Sequence, residues 1–175
     1  MNKIFFTLLF GILFSQSGVA KTNTTVDNAI KSSFTGVSTI DPKQLILTKK
    51  QFSQVKSSAK AAVGTKIYRY YDIKSNTKQL GYAVLISRKV RSKKATVLYA
   101  FDTSGKLKFT EIMAFGEPPE YIPSKTWMSQ LQNRDDSVKL TVGKDIPTIS
   151  GSTLSARSLT EGARVARAIY EIVLK

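Results

Sequence analysis

The spacing of apolar residues changes character at Gly64, and the change predicts a helix followed by a sheet. Thr48-Lys49-Lys50-Gln51 has the form of a capping box. Phe52, Val55 and Ala59 then fall on one face at helical spacing. The pattern predicts a helix from about Lys49 to Ala61, ending near Gly64. Beyond Gly64 the period drops to two. Ile67 to Ile73 reads as a strand, with Ser75-Asn76-Thr77 as the turn after it. Gln79 to Lys89, containing Gly81-Tyr82-Ala83-Val84-Leu85-Ile86, reads as the next strand. Ala95 to Phe101 and Leu107 to Phe115 read as a hairpin around Asp102-Thr103-Ser104-Gly105-Lys106.

The pattern is irregular after Phe115. Pro118, Pro119 and Pro123 exclude a regular helix or a central strand over Gly116–Pro123. Ser124 is placed to cap a short helix running to Asn133, with Trp127 and Leu131 at i and i+4. Val138 to Val142 reads as a short strand or as an extended approach to the loop that follows. Ser158-Leu159-Thr160-Glu161 has the form of a second capping box, so the last helix is expected to begin near Ser158. Its apolar stripe is Val165, Ala166, Ile169, Ile172 and Val173. Residues 21–40 show little periodicity and read as a tether with room for a short helix around Val26 to Phe34. The expected fold is α+β: one domain, mainly antiparallel sheet, with an N-terminal helix, a short middle helix and a C-terminal helix.

The first twenty residues differ in kind. Lys3 is followed by an apolar run from Ile4 to Phe14, and Gly18-Val19-Ala20 supplies small residues at a cleavage position. This is the form of a signal peptide, with an uncleaved anchor as its alternative. The chain contains no cysteine and no histidine. Disulfides, thiolate catalysis, Cys/His zinc sites and a Ser-His-Asp triad are thereby excluded. In an exported chain, the lack of cysteine points to a bacterial envelope, the periplasm in particular. The formal charge of +15 favours acidic partners or an anionic membrane surface. Nucleic acid is not expected, because no nucleic-acid motif accompanies the charge.

The residues that carry candidate chemistry run from Asp145 to Ser155: Asp145-Ile146-Pro147-Thr148-Ile149-Ser150-Gly151-Ser152-Thr153-Leu154-Ser155. Small hydroxyl residues and a glycine precede a helix here. Free N–H groups at a helix start, with hydroxyls around them, suit a phosphate. The plain alternative is a loop and its N-cap.

This run resembles the signature of the FMN-binding domain family, which reads roughly Asp-Ile-Asp-x-Ile-Ser-Gly-Ala-Thr-x-Ser before the last helix. Gly81-Tyr82-Ala83, Asp102 with Gly105-Lys106, Ala114 to Tyr121 with Glu117-Pro118-Pro119, Trp127 to Leu131 and Arg157 follow the family's order as well. The similarity covers roughly Tyr68 to Ile172. The family includes FMN-carrying subunits of the Rnf complex and of the sodium-pumping NADH:quinone oxidoreductase, and small exported flavoproteins. The resemblance implies an FMN-binding-like domain over residues 41–175, with residues 1–20 as signal peptide and 21–40 as tether. In several family members the matching threonine carries FMN through a phosphoester, attached by a flavin transferase. That implies Thr153 as the FMN-bearing residue. Ser150, Gly151, Ser152, Leu154 and Ser155 would surround the phosphate. Tyr121 or Trp127 would pack on the flavin ring, with ordinary core burial as the alternative for both. Glu117 would hydrogen-bond the flavin or orient the Pro118-Pro119 turn. Pro147 stands where the family often has Asp, and Ser152 where Ala is usual, so covalent and reversible FMN binding both remain open.

The expectation is therefore an exported FMN-binding electron carrier serving redox partners in the cell envelope, and not a stand-alone enzyme. The alternative is a flavin-free envelope module that docks an anionic partner or membrane surface through its basic face. A third reading is a flavin reductase with its own small substrate.

Overall fold

Five strands lie side by side in chain order, each antiparallel to its neighbours: β1 (Thr39–Ile46), β2 (Ile67–Lys74), β3 (Gln79–Lys89), β4 (Lys94–Asp102) and β5 (Leu107–Phe115). The structure is a computed structural model that describes residues 24–175. The expected signal peptide and the first residues of the expected tether lie outside the described residues. The fold is α+β, a single compact domain, as the apolar pattern predicts.

Both faces of the sheet are covered. Val97, Tyr99 and Phe101 of β4 point into one core, while Leu98 and Ala100 between them point into another. Two buried faces explain why β4 reads as an almost unbroken apolar run rather than an alternation. On one face α4 (Thr153–Ile169) packs on β3 and β4, and α2 (Lys49–Ala59) packs against α4. The capping box of α2 forms as expected, with Gln51 N–H donating to Thr48 and Thr48 N–H donating to Gln51. The helix stops two residues before the expected Ala61, at a left-handed Lys60.

The other face carries the main correction. Residues 24–40 are built into the domain rather than serving as a tether. The short helix expected there is α1 (Thr24–Ser33). Val26, Ile30 and Phe34 are buried against Tyr71, Ile73, Ala83, Leu98 and Phe109. Ten residues are too few to hold a helix in water, so contact with the sheet holds it. The chain then enters β1, which no apolar alternation signals. Pro42 sits within it, and proline is tolerated because β1 is an edge strand.

Two later elements also differ. Val138–Val142 forms an irregular loop in which Leu140 has a φ of 53°, and no regular strand. Buried Leu140 and Ile146 pin that loop to the core. The last helix starts at Thr153, five residues before the expected Ser158. Ser158 and Glu161 do not cap it. Ser158 donates to the Lys89 carbonyl (3.0 Å) and Glu161 pairs with Arg88, tying α4 to the end of β3. Val165, Ala166 and Ile169 of the expected stripe are buried, and Ile172 and Val173 pack partly buried in a final π-helical turn, Tyr170–Leu174.

Candidate functional site

The start of α4 is built by a glycine turn. Gly151 has a φ of 74°, a left-handed conformation that favours glycine. The turn is closed by Ser152 N–H donating to the Ile149 carbonyl (3.0 Å). The first helical bond runs from Ala156 N–H to the Ser152 carbonyl (3.1 Å). Thr153, Leu154 and Ser155 therefore occupy the first turn, where N–H groups have no acceptor inside the helix. The Ser152 side chain makes no cap hydrogen bond, and the first turn carries no acidic residue. The positive end of the helix is left without an internal counter-charge.

This end opens into a cavity of about 240 Å3 lined by Gly151 to Ser155, Val90, Arg91, Glu117 and Tyr121. Seven of the nine expected site residues thus come together: Gly151, Ser152, Thr153, Leu154, Ser155, Glu117 and Tyr121. Thr153 and Leu154 are exposed at its mouth and Ser155 is buried. Ser150 is exposed in the preceding turn and outside the lining. Trp127 is also outside it. It is buried in the main core, where its indole N–H donates to the Pro147 carbonyl (2.8 Å). Its role is to fasten the loop before α4 to α3 (Lys125–Ser129), which Ser124 caps by accepting from Trp127 N–H.

The Glu117 carboxylate is engaged by the turn between β3 and β4 and not by the Pro118-Pro119 turn. It accepts the backbone N–H groups of Arg91 (2.9 Å), Ser92 (2.6 Å) and Lys93 (2.6 Å), and the Ser92 hydroxyl (3.1 Å). The Lys93 amide, then the other donors, outweigh burial and hold the carboxyl at a pKa of about 2. Glu117 therefore shapes the β3–β4 turn, and that turn carries Arg91 to the cavity. Val90 and Arg91 are the lining residues that sequence reasoning did not single out. A signal was present in the basic run from Arg88 to Lys94, which suits an exposed sheet end or loop. The missing step was the meeting of this turn with the start of α4.

The arrangement fits the phosphate end of FMN. It offers first-turn N–H groups, hydroxyls and one guanidinium, and its one carboxylate is already engaged by four donors. The volume falls below the roughly 300 Å3 at the lower end of pockets that bury whole small molecules. It therefore suits the phosphate and the chain beside it, with Val90, Tyr121 and Leu154 as the apolar surface next to them. Among the described residues no cluster of acidic side chains has the form of a metal site. No protein-family model matches the chain, and no characterised protein shows significant sequence similarity to it.

Proposed function

We propose that the chain is an exported electron carrier that binds FMN by its phosphate at the start of α4. One observation carries the reading: an uncapped helix N-terminus opens into a cavity shared with Arg91 and the exposed Thr153 hydroxyl. Bound FMN supplies the electron transfer, and the protein holds and shields it. First-turn N–H groups and Arg91 neutralise the phosphate, Gly151 lets the backbone approach closely, and Tyr121 and Leu154 offer apolar contact. The electron donor and acceptor would be envelope proteins.

Riboflavin, which lacks the phosphate, provides the direct test. Titrated into flavin-free protein and followed by flavin fluorescence, FMN is expected to bind and riboflavin to bind at least tenfold more weakly. Arg91→Gln should weaken FMN and leave riboflavin unchanged. Equal binding of the two flavins, or binding of neither, overturns the phosphate-anchored reading.

A second reading has its own support. Lys89, Arg91, Lys93 and Lys94 are all exposed around the turn that borders the cavity. Such a cluster suits docking of an acidic partner, with or without flavin, and capture should fall as salt screens charges over about 10 Å at 0.1 M.

A further inference from the structure

Near its other end, α4 carries a second concentration of positive charge, and this one is partly buried and makes no direct ion pair among the described residues. Arg167 is 8% exposed. Its Nη1 donates to the Val138 carbonyl (2.6 Å), but its Nε and Nη2 are buried with no partner among the described residues. Arg164, one turn earlier, is half-buried. It reaches the Leu140 and Lys60 carbonyls only at 3.3 Å and leaves its own Nε buried and unpartnered. Neither arginine belongs to an ion pair among the described residues.

Both side chains line one open cavity of about 400 Å3, together with Lys60, Lys139, Asp136 and Glu171. Four cations face two carboxylates, so the lining carries an excess of two positive charges. Burial pulls the Arg167 pKa down, against the opposing pull of Glu171, Asp136 and Asp135. A guanidinium does not give up its proton in a protein. The cost of burying it is therefore met only by a partner. Three unpartnered nitrogens on two planar forks suit an oxyanion that accepts several hydrogen bonds at once.

We propose that this cavity binds a phosphate group, either free or carried by a phospholipid headgroup. A phosphate dianion matches both the donor set and the excess charge. The site is distinct from the start of α4, since Thr153 and Arg167 are fourteen positions apart, about 21 Å along a helix. It does not depend on whether FMN binds.

The test is thermal unfolding and calorimetric titration of the full chain with inorganic phosphate, against sodium chloride at matched ionic strength. Binding to the native state raises Tm saturably. Phosphate is expected to stabilise beyond chloride, and Arg167→Met and Arg164→Gln each to lower its affinity at least tenfold. Arg164→Gln keeps the test decisive should Arg167→Met fail to fold, because Arg164 is only half-buried. Phosphatidylcholine vesicles with and without phosphatidic acid separate the two sources. Capture by phosphatidic acid that Arg164→Gln abolishes assigns the headgroup; phosphate binding without capture assigns the free ion. A phosphate response no larger than that of chloride, or one that survives both arginine substitutions, overturns the proposal.

Discussion

Gly162 lies directly against the phenol of Tyr99. A Cβ at position 162 would stand 2.5 Å from the Tyr99 hydroxyl oxygen and 3.2 Å from the ring carbon that bears it. The phenol is held there, since it is buried and donates to the Leu159 carbonyl at 2.7 Å. Burial pushes its pKa well up, so it remains a donor throughout the ordinary pH range. In an exposed helix, Gly→Ala would stabilise by about 1 kcal/mol. Here overpacking, typically about 1–3 kcal/mol, opposes that gain. Gly162→Ala is expected to lower stability in denaturant unfolding. Adding Tyr99→Phe should recover part of the loss, because it removes the atom in closest conflict. Simple additivity of the two changes would show that the contact does not limit position 162.

Ile30 tests whether α1 belongs to the domain. It is fully buried between α1 and the sheet. Ile30→Ala is expected to cost about 2–5 kcal/mol, as core truncations do. A tether residue would leave the unfolding midpoint unchanged.

Glu117 should make stability depend on pH in acid. Its folded value of about 2 lies below the ordinary 4.5. Its contribution is therefore fully present above about pH 4.5 and is lost as pH falls through about 2. Asp72 and Asp135 are also lowered and add to the wild-type slope. Glu117→Gln should flatten the profile over that window and lower stability at neutral pH, because an amide lacks the charge that strengthens the three N–H bonds and its NH2 cannot accept from the Ser92 hydroxyl. Parallel profiles for the two proteins would exclude the carboxylate from the acid transition.

Trp127 should affect flavin affinity without touching flavin. Trp127→Phe removes the hydrogen bond to the Pro147 carbonyl, costing about 0.5–1.5 kcal/mol. The loop before α4 then loses its fastening to α3. A modest fall in Tm together with weaker FMN binding is expected, and unchanged FMN affinity would show that the loop is set by other contacts.

On the proposed reading, Thr153 is the candidate residue for covalent attachment. Co-expression with a flavin transferase should add one FMN by intact mass. The Thr153 oxygen forms the phosphoester as its proton and the leaving group of the flavin-nucleotide donor depart. Thr153→Ala should abolish the adduct and change stability by less than about 0.5 kcal/mol, since the residue is exposed. An adduct that persists would move the acceptor to Ser152 or Ser155. Reversible binding alone would direct the test to Pro147→Asp.

Local chemistry decided much of this fold, and the sequence displays local chemistry openly. The spans of β3 and β5, the capping box of α2 and the Ser124 cap follow from residues close in the chain, whose period and hydrogen-bonding capacity act over a few positions. The Ser-Gly-Ser-Thr run was legible as a helix approach for the same reason. Tertiary structure decided what depended on distant partners. Pro42 could enter a strand only because β1 lies at the sheet edge. Val26 and Ile30 became core only because the outer sheet face needed cover. Ser158 and Glu161 had the composition of a cap, yet the end of β3 offered them a carbonyl and a guanidinium and the helix began earlier, at the Gly151 turn. Arg91 reached the cavity, and the Glu117 carboxylate in its wall was engaged by the β3–β4 turn, through a contact between residues some 25 positions apart. Such pairings depend on which surfaces meet when the chain closes, and apolar periodicity carries no record of them.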